Sequence, residues 1–236
     1  MRVDNRSIFW NGFVDCAPFT IIVVPYAMLF GVVARDAGLD VYEVMAMSVL
    51  VIAGASQFTA VSLMQEQAPV IVILLAALAV NLRMAMYSAT LAPHLGHLRL
   101  WLRAVLAYMM VDQSFALSVR KYELEPDMSP SAKAAYYFGA LTAVAPLWYI
   151  CTFAGAVLGQ AIPPVFSLEF AVPVCFIAMT APMLRSLPHV VAALVSVLAA
   201  MVLQWMSYNL WLVVAGLLAM AAGAQTEFYL KRKART

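Results

Sequence analysis

Eight long apolar stretches, at roughly 9–33, 43–64, 69–92, 102–119, 134–160, 168–184, 190–206 and 209–228, follow one another with only short polar links between most of them. Helices that are apolar on every side are stable only deep in a large core or in lipid. Each membrane-crossing helix needs about 20 predominantly apolar residues, so eight would take up roughly two-thirds of the chain. The composition agrees: 65% of the 236 residues are hydrophobic, 11% are charged, and the net charge is +2. A soluble domain carries roughly 45–50% apolar and 25% charged residues. The expected fold is therefore an all-α polytopic membrane protein with about seven to eight hydrophobic segments, forming a single transmembrane domain over residues 1–236.

The first stretch runs on through Pro18 and Pro25, longer than the apolar core of a signal peptide, and reads as a retained first span. Two others invite a break. The second contains Gly54-Ala55-Ser56-Gln57, and the sixth is short and holds Pro173 and Pro182, so either can be a broken or re-entrant helix. If all eight cross, with the chain start inside, ten basic residues lie inside against Arg35, Arg99 and Arg103 outside, as the positive-inside rule favours. If the second and sixth are both re-entrant the split is nine to four, so the rule leaves both topologies open. The polar run 120–133 (RKYELEPDMSPSAK) divides the chain into candidate half-repeats, 1–120 and 134–230. An offset of 124 superposes Gly31-Val-Val on Gly155-Ala-Val and the Ser56 region on Thr180. With re-entrant second and sixth segments those halves would be inverted, an arrangement common among secondary transporters.

A charge at mid-membrane costs about 2.5–3.5 kcal/mol on insertion scales, so it is functional or paired. Arg83 lies in the middle of the third segment within Asn81-Leu82-Arg83, and Asp112 in the fourth within Asp112-Gln113-Ser114-Phe115. Asp15 is a shallower third. Helical spacing puts Arg83, Tyr87 and Thr90 on one stripe, with Asn81 and Ser88 nearly opposite. It puts Tyr108, Asp112 and Phe115 on a second. Both stripes should face protein or a water-filled cavity. One reading makes Arg83 and Asp112 a buried pair that only locks helices together. The other makes Arg83 the partner of a substrate carboxylate and Asp112 the partner of its ammonium group or of a coupling proton, as suits a zwitterion with an apolar side chain. A helix break at Gly54-Ala55-Ser56-Gln57 would expose backbone N–H groups to such a carboxylate, and Met179-Thr180-Ala181-Pro182 could do the same in the other half. Small-residue runs also serve close helix packing, which keeps the structural reading of both open.

The remaining features are bland. Cys16, Cys151 and Cys175 lie inside apolar stretches without metal or redox spacing and read as packing residues. His94, His97 and His189 fall near segment ends, and a metal site would need further ligands at suitable spacing. Trp10, Trp101, Trp205 and Tyr229 fit an interfacial belt, the methionines of 45–47 and 84–86 fit packing, and the basic run 231–235 fits a topology anchor. No zincin His-Glu-x-x-His, no Gly-x-Ser-x-Gly elbow and no phosphate-binding loop is present, and nothing calls for a cofactor. Three function classes remain: a secondary transporter, a membrane scaffold subunit, and an intramembrane enzyme for which only an Asp15/Asp112 dyad speaks.

Read together, Gly54-Ala-Ser-Gln-Phe58, Asn81-Leu-Arg83 with Tyr87-Ser-Ala-Thr-Leu-Ala-Pro-His94, Asp112 with Phe115-Ala-Leu117, and Leu168-Glu-Phe-Ala-Val-Pro173 resemble the large subunit of the AzlC-type branched-chain amino-acid permease (exporter) family. Pro25 and Phe30-Gly31 fit the same pattern. The resemblance implies a bacterial inner-membrane secondary transporter that exports branched-chain amino acids and methionine on the proton gradient. It also implies a small hydrophobic AzlD-type partner of few helices. It does not assign substrate contacts, so the candidate site rests on the charge argument: Arg83, Asp112, Asn81, Tyr87, Gln57, Ser56, Gln113, Asp15 and Thr180. The chain departs from the family pattern at Met84 (His expected), Gln113 (acidic expected) and Ala27 (Gly expected). The first two remove titratable groups near the supposed site, leaving Asp112 as the leading coupling group and Asp15 as the next.

Overall fold

The computed structural model describes residues 5–159, 177, 184, 186–206 and 210–233. Segment six, with Pro173, Pro182, Cys175, the 168–173 motif and the candidate residue Thr180, lies outside the described residues except for Ile177 and Leu184, as does Arg185 after it. Every regular element among the described residues is a helix. In order they are α1 (Asn5–Cys16), α2 (Thr20–Asp36), α3 (Val41–Leu50), α4 (Gly54–Gln65), α5 (Val70–Asn81), α6 (Arg83–Leu95), α7 (Leu100–Tyr108), α8 (Asp112–Leu124), α9 (Pro130–Leu158), α10 (Leu187–Leu203) and α11 (Leu210–Lys233). Among the described residues three runs are long and apolar enough to cross a membrane: Asn5–Asp36, where a 3-10 turn at Ala17–Phe19 joins α1 to α2, Val70–Leu95 (α5 and α6), and Pro130–Leu158 (α9).

Local chemistry sets the joints. Gly38 takes φ 93° just after α2, and the Gly38 and Leu39 amides bond back to the carbonyls of Arg35 and Ala34, closing the helix in a Schellman-type turn. Asp40 then starts α3 with a capping box, its carboxylate accepting from the Glu43 amide while Glu43 accepts from the Asp40 amide, both at 2.7 Å. Ser129 caps α9, with Pro130 at the first helical position.

The long helices pack through glycines. A side chain at Gly12 would strike the Tyr136 carbonyl, and one at Gly139 the Phe9 carbonyl; farther along, Gly31 meets Thr152 and Gly155 meets Met28. Such backbone-to-backbone approach is what small residues allow between helices in lipid, where the hydrophobic effect no longer drives association. The pairs advance in the same direction along both helices, so α1–α2 and α9 run parallel.

That direction fixes the rest of the first 159 residues. His94, at the end of α6, meets Lys133 at 3.3 Å and packs its ring against Tyr122, while the Tyr122 hydroxyl donates to the Lys133 carbonyl at 2.7 Å. The ends of α6 and α8 and the start of α9 therefore share one end of the bundle, and Val70–Leu95 runs antiparallel to α9. Helix α3 leaves the opposite end straight after α2, and α4 returns to that end to begin α5. Helix α7 leaves the first end straight after α6, and α8 returns to it to begin α9. Segments two and four are thus each a pair of half-helices entering from one face and coming back to it, and the two pairs enter from opposite faces. The break in segment two follows the sequence expectation. The break in segment four corrects the expectation of a continuous fourth span, and with it the stripe of Tyr108, Asp112 and Phe115, because Val111 is extended (φ −130°, ψ 157°) and separates Tyr108 on α7 from the others on α8.

The hairpin tips meet. The Tyr108 hydroxyl donates to the Val49 carbonyl at the end of α3 and lies 3.2 Å from the Tyr149 hydroxyl on α9. Helix α4 lies back along α5, Ser56 Oγ donating to the Ala77 carbonyl at 2.9 Å. Helices α10 and α11 pack on each other as an antiparallel pair, Gly223 lying against Pro188 and Ala192, and α11 touches the remainder at α5.

Candidate functional site

Where the two tips meet the middle of Val70–Leu95, a narrow cavity of about 40 Å³ opens. Its charged and polar side is Arg83 from α6 with Asp112 and Gln113 from α8; its apolar side includes Val23 and Tyr26 from α2 and Val144, Ala145 and Trp148 from α9. The tips themselves contribute Ile52–Ala55 and Val111. A space of this size admits a water or two and not an amino acid.

Arg83 Nη2 and Asp112 Oδ2 form an ion pair at 3.2 Å. The side chains retain 31% and 14% exposure, which separates this pair from a sealed core bridge: a ligand in the cavity can reach both partners. Arg83 Nε and Asp112 Oδ1 are buried without a protein hydrogen-bond partner among the described residues, so each group keeps bonding capacity. Asp112 stands in the first turn of α8, where the helix dipole favours a negative charge. Across the cavity α4 begins at Gly54 with no side-chain cap, leaving the first-turn amides outside the helix ladder. The chain reverses there without crowding because residue 54 is glycine: a Cβ would lie 2.6 Å from the Tyr26 ring and 2.7 Å from the Trp148 ring. The site thus gathers one guanidinium, one carboxylate and two helix starts at mid-depth.

The other candidate residues divide. Gln113 lines the cavity. Tyr87 sits one turn along α6 from Arg83 and stacks on Phe115 at 3.9 Å, flooring the ion pair with aromatic surface. Thr90 is exposed and bonds back to Met86, so the Arg83 stripe stops at Tyr87. Ser56 and Gln57 are buried but turn away, Ser56 toward α5, tying the hairpin to that span, and Gln57 toward Ser48 on α3 (3.0 Å), tying the two half-helices of the hairpin together. Asn81 ends α5, its Oδ1 buried without a partner among the described residues, and it is not on the cavity wall. Asp15 accepts from the Tyr136 hydroxyl at 2.7 Å, outside the cavity. Met84, one of the departures from the family pattern, also lines the cavity, whereas Ala27 is fully buried in the core. The apolar wall went unread in the sequence, because a valine facing a cavity and a valine facing lipid leave the same hydropathy; only Gly54 between two rings was a visible signal.

Comparison with known proteins gives a consistent answer. The family model described as AzlC protein matches residues 18–162, which contain the whole of this cavity. The chain is similar to a protein of Archaeoglobus fulgidus described as an uncharacterized membrane protein, 33% identical over 127 residues, covering 52% of this chain and 54% of that protein. It is also similar to a protein of Helicobacter pylori with the same description, 32% identical over 113 residues, covering 46% of this chain and 49% of that one. The chain spans about half the length of the curated relatives it matches. No solved structure matches.

Proposed function

The chain belongs to the AzlC family, and from that premise we propose that it is a secondary transporter exporting branched-chain amino acids (leucine, isoleucine, valine and also methionine) across the bacterial inner membrane. The observation that carries this reading is the half-open Arg83–Asp112 pair at the meeting point of two half-helix hairpins that enter from opposite faces. Broken helices at mid-depth, with their positive ends toward an anionic group, are how many transporters hold a small charged substrate. In the cycle proposed here the substrate carboxylate takes Arg83 and the free amides of α4, and its ammonium takes Asp112, so the pair opens into two ligand contacts without leaving either charge alone. Withdrawal of one hairpin then opens the cavity to one face, and withdrawal of the other opens it to the opposite face. Coupling to the proton gradient falls to Asp112, since Met84 and Gln113 do not titrate. A small AzlD-type partner completes the working unit; the exposed apolar faces of α5 and α10 are broad enough to receive its helices or lipid.

The test is amino-acid release from cells loaded with leucine- or valine-containing dipeptides, with the chain expressed alone and beside the small partner. Faster release of branched-chain residues is expected, and Arg83→Ala made in normal amounts should abolish it. Transport by that variant at the parent rate would remove Arg83 from the carboxylate role. A purely structural pair would instead tolerate the exchange Arg83→Asp with Asp112→Arg at full activity.

A further inference from the structure

The cavity is two-sided, and its second side has no part in the charge argument. An α-amino acid carries both charges on one carbon, so a substrate held by Arg83, Asp112 and the start of α4 must direct its side chain toward the remaining wall. That wall is Val23 and Tyr26 on α2 with Val144, Ala145 and Trp148 on α9, and it offers methyl groups and aromatic faces. We propose that this α2–α9 wall is the side-chain subsite, with Ala145 and Val144 setting the size of side chain accepted. The proposal rests on the transport reading above and adds to it the determinant of selectivity.

The wall is closed in this structure. Val23, Tyr26, Val144, Ala145 and Trp148 are all less than 7% exposed, and Trp148 packs against Tyr26 (5.8 Å between centroids) and Phe30 (6.3 Å). On either side of it the two helices are pinned by the backbone contacts of Gly12 and Gly139, and of Gly31 and Gly155. Room for a branched side chain must come from between those pins. Both helices carry a proline there: Pro25 in α2, next to Tyr26, and Pro146 in α9, next to Ala145. A proline inside a helix removes one ladder hydrogen bond and pushes on the carbonyl four residues earlier, which makes it the usual place for a helix to bend. The wall can therefore bow outward at Pro25 and Pro146 while the glycine contacts hold. Because Ala145 puts only a methyl group on this wall, a larger residue there would occupy the volume that a leucine side chain needs.

The experiment is equilibrium binding of glycine, alanine, valine, leucine and phenylalanine to the purified chain, alone and together with the small partner, in lipid nanodiscs. One methylene in an apolar pocket changes recognition by roughly ten- to two-hundred-fold. Wild type should bind leucine at least about tenfold more tightly than alanine, and Ala145→Leu should lose that preference, weakening leucine by at least about tenfold and glycine far less. Val144→Ala, which removes volume and is the milder change to the fold, should move the optimum toward phenylalanine. Should Ala145→Leu not fold, the Val144→Ala series decides. If amino acids bind and Arg83→Ala abolishes binding, but neither wall variant moves the leucine-to-alanine ratio, the subsite is wrong and the transport reading stands. If wild type binds none of the five either alone or with the small partner, both fall.

Discussion

Arg83 and Asp112 are legible in the sequence because a charge amid apolar residues is costly and must have a reason; the structure adds that the two reach each other across a break in the chain. Removing one partner of a buried pair costs about 3–5 kcal/mol, and the partial exposure of Arg83 places this pair below that range. Asp112→Asn is therefore expected to give folded protein in which the guanidinium lacks its counter-charge. In the proposed mechanism this variant still binds substrate carboxylate but loses its dependence on the pH gradient. Efflux of labelled leucine from proteoliposomes at several imposed gradients measures this directly, and undiminished coupling would move the proton site to Asp15. The neighbouring Gly54 belongs to the same scale: Gly54→Ala inserts a methyl group between Tyr26 and Trp148 and should slow transport by opening that aromatic contact, with little change in expression.

Among the elements, the break in segment two was readable from Gly54-Ala55-Ser56-Gln57, where a glycine and a polar glutamine interrupt an apolar stretch. The break in segment four was not, because Met109-Met110-Val111 has neither glycine nor proline. Its cause is tertiary: Tyr108 caps a carbonyl at the end of α3, and the chain must turn there to send Asp112 to Arg83. Hydropathy counts a hairpin of two half-helices as one span, and for this reason eight apolar segments do not mean eight crossings. The long helices depend on different residues. Gly139→Val would drive a branched side chain into the Phe9 carbonyl and part α1 from α9. A loss of about 1–3 kcal/mol is expected, read as a lower melting temperature in detergent, whereas Gly216→Val, with open space around it, should leave the melting temperature unchanged.

For the whole molecule, the arrangement sorts the basic residues. Arg6, Arg99, Arg103, Arg120, Lys121 and Lys133 all belong to the end of the bundle where α1 and α9 begin, and Arg35 to the other. Among these residues the positive-inside rule favours the first end as the cytoplasmic one. Single cysteines in a cysteine-free background test the arrangement. His97→Cys and Asp127→Cys should react with an impermeant thiol reagent from the same face, and Gln67→Cys from the opposite one. Labelling of positions 97 and 127 from opposite faces would mean that α7–α8 crosses the membrane. The paired charges at mid-depth carry an electrical consequence. In the proposed mechanism the ionised Arg83–Asp112 pair is neutral by itself and stays neutral when it holds a zwitterion, so reorienting either form moves no net charge through the field. Only the protonated form does, and a membrane voltage of 100 mV then acts on it with about 2.3 kcal/mol. In the proposed mechanism the voltage therefore drives the proton alone and leaves the amino acid's own passage indifferent to it.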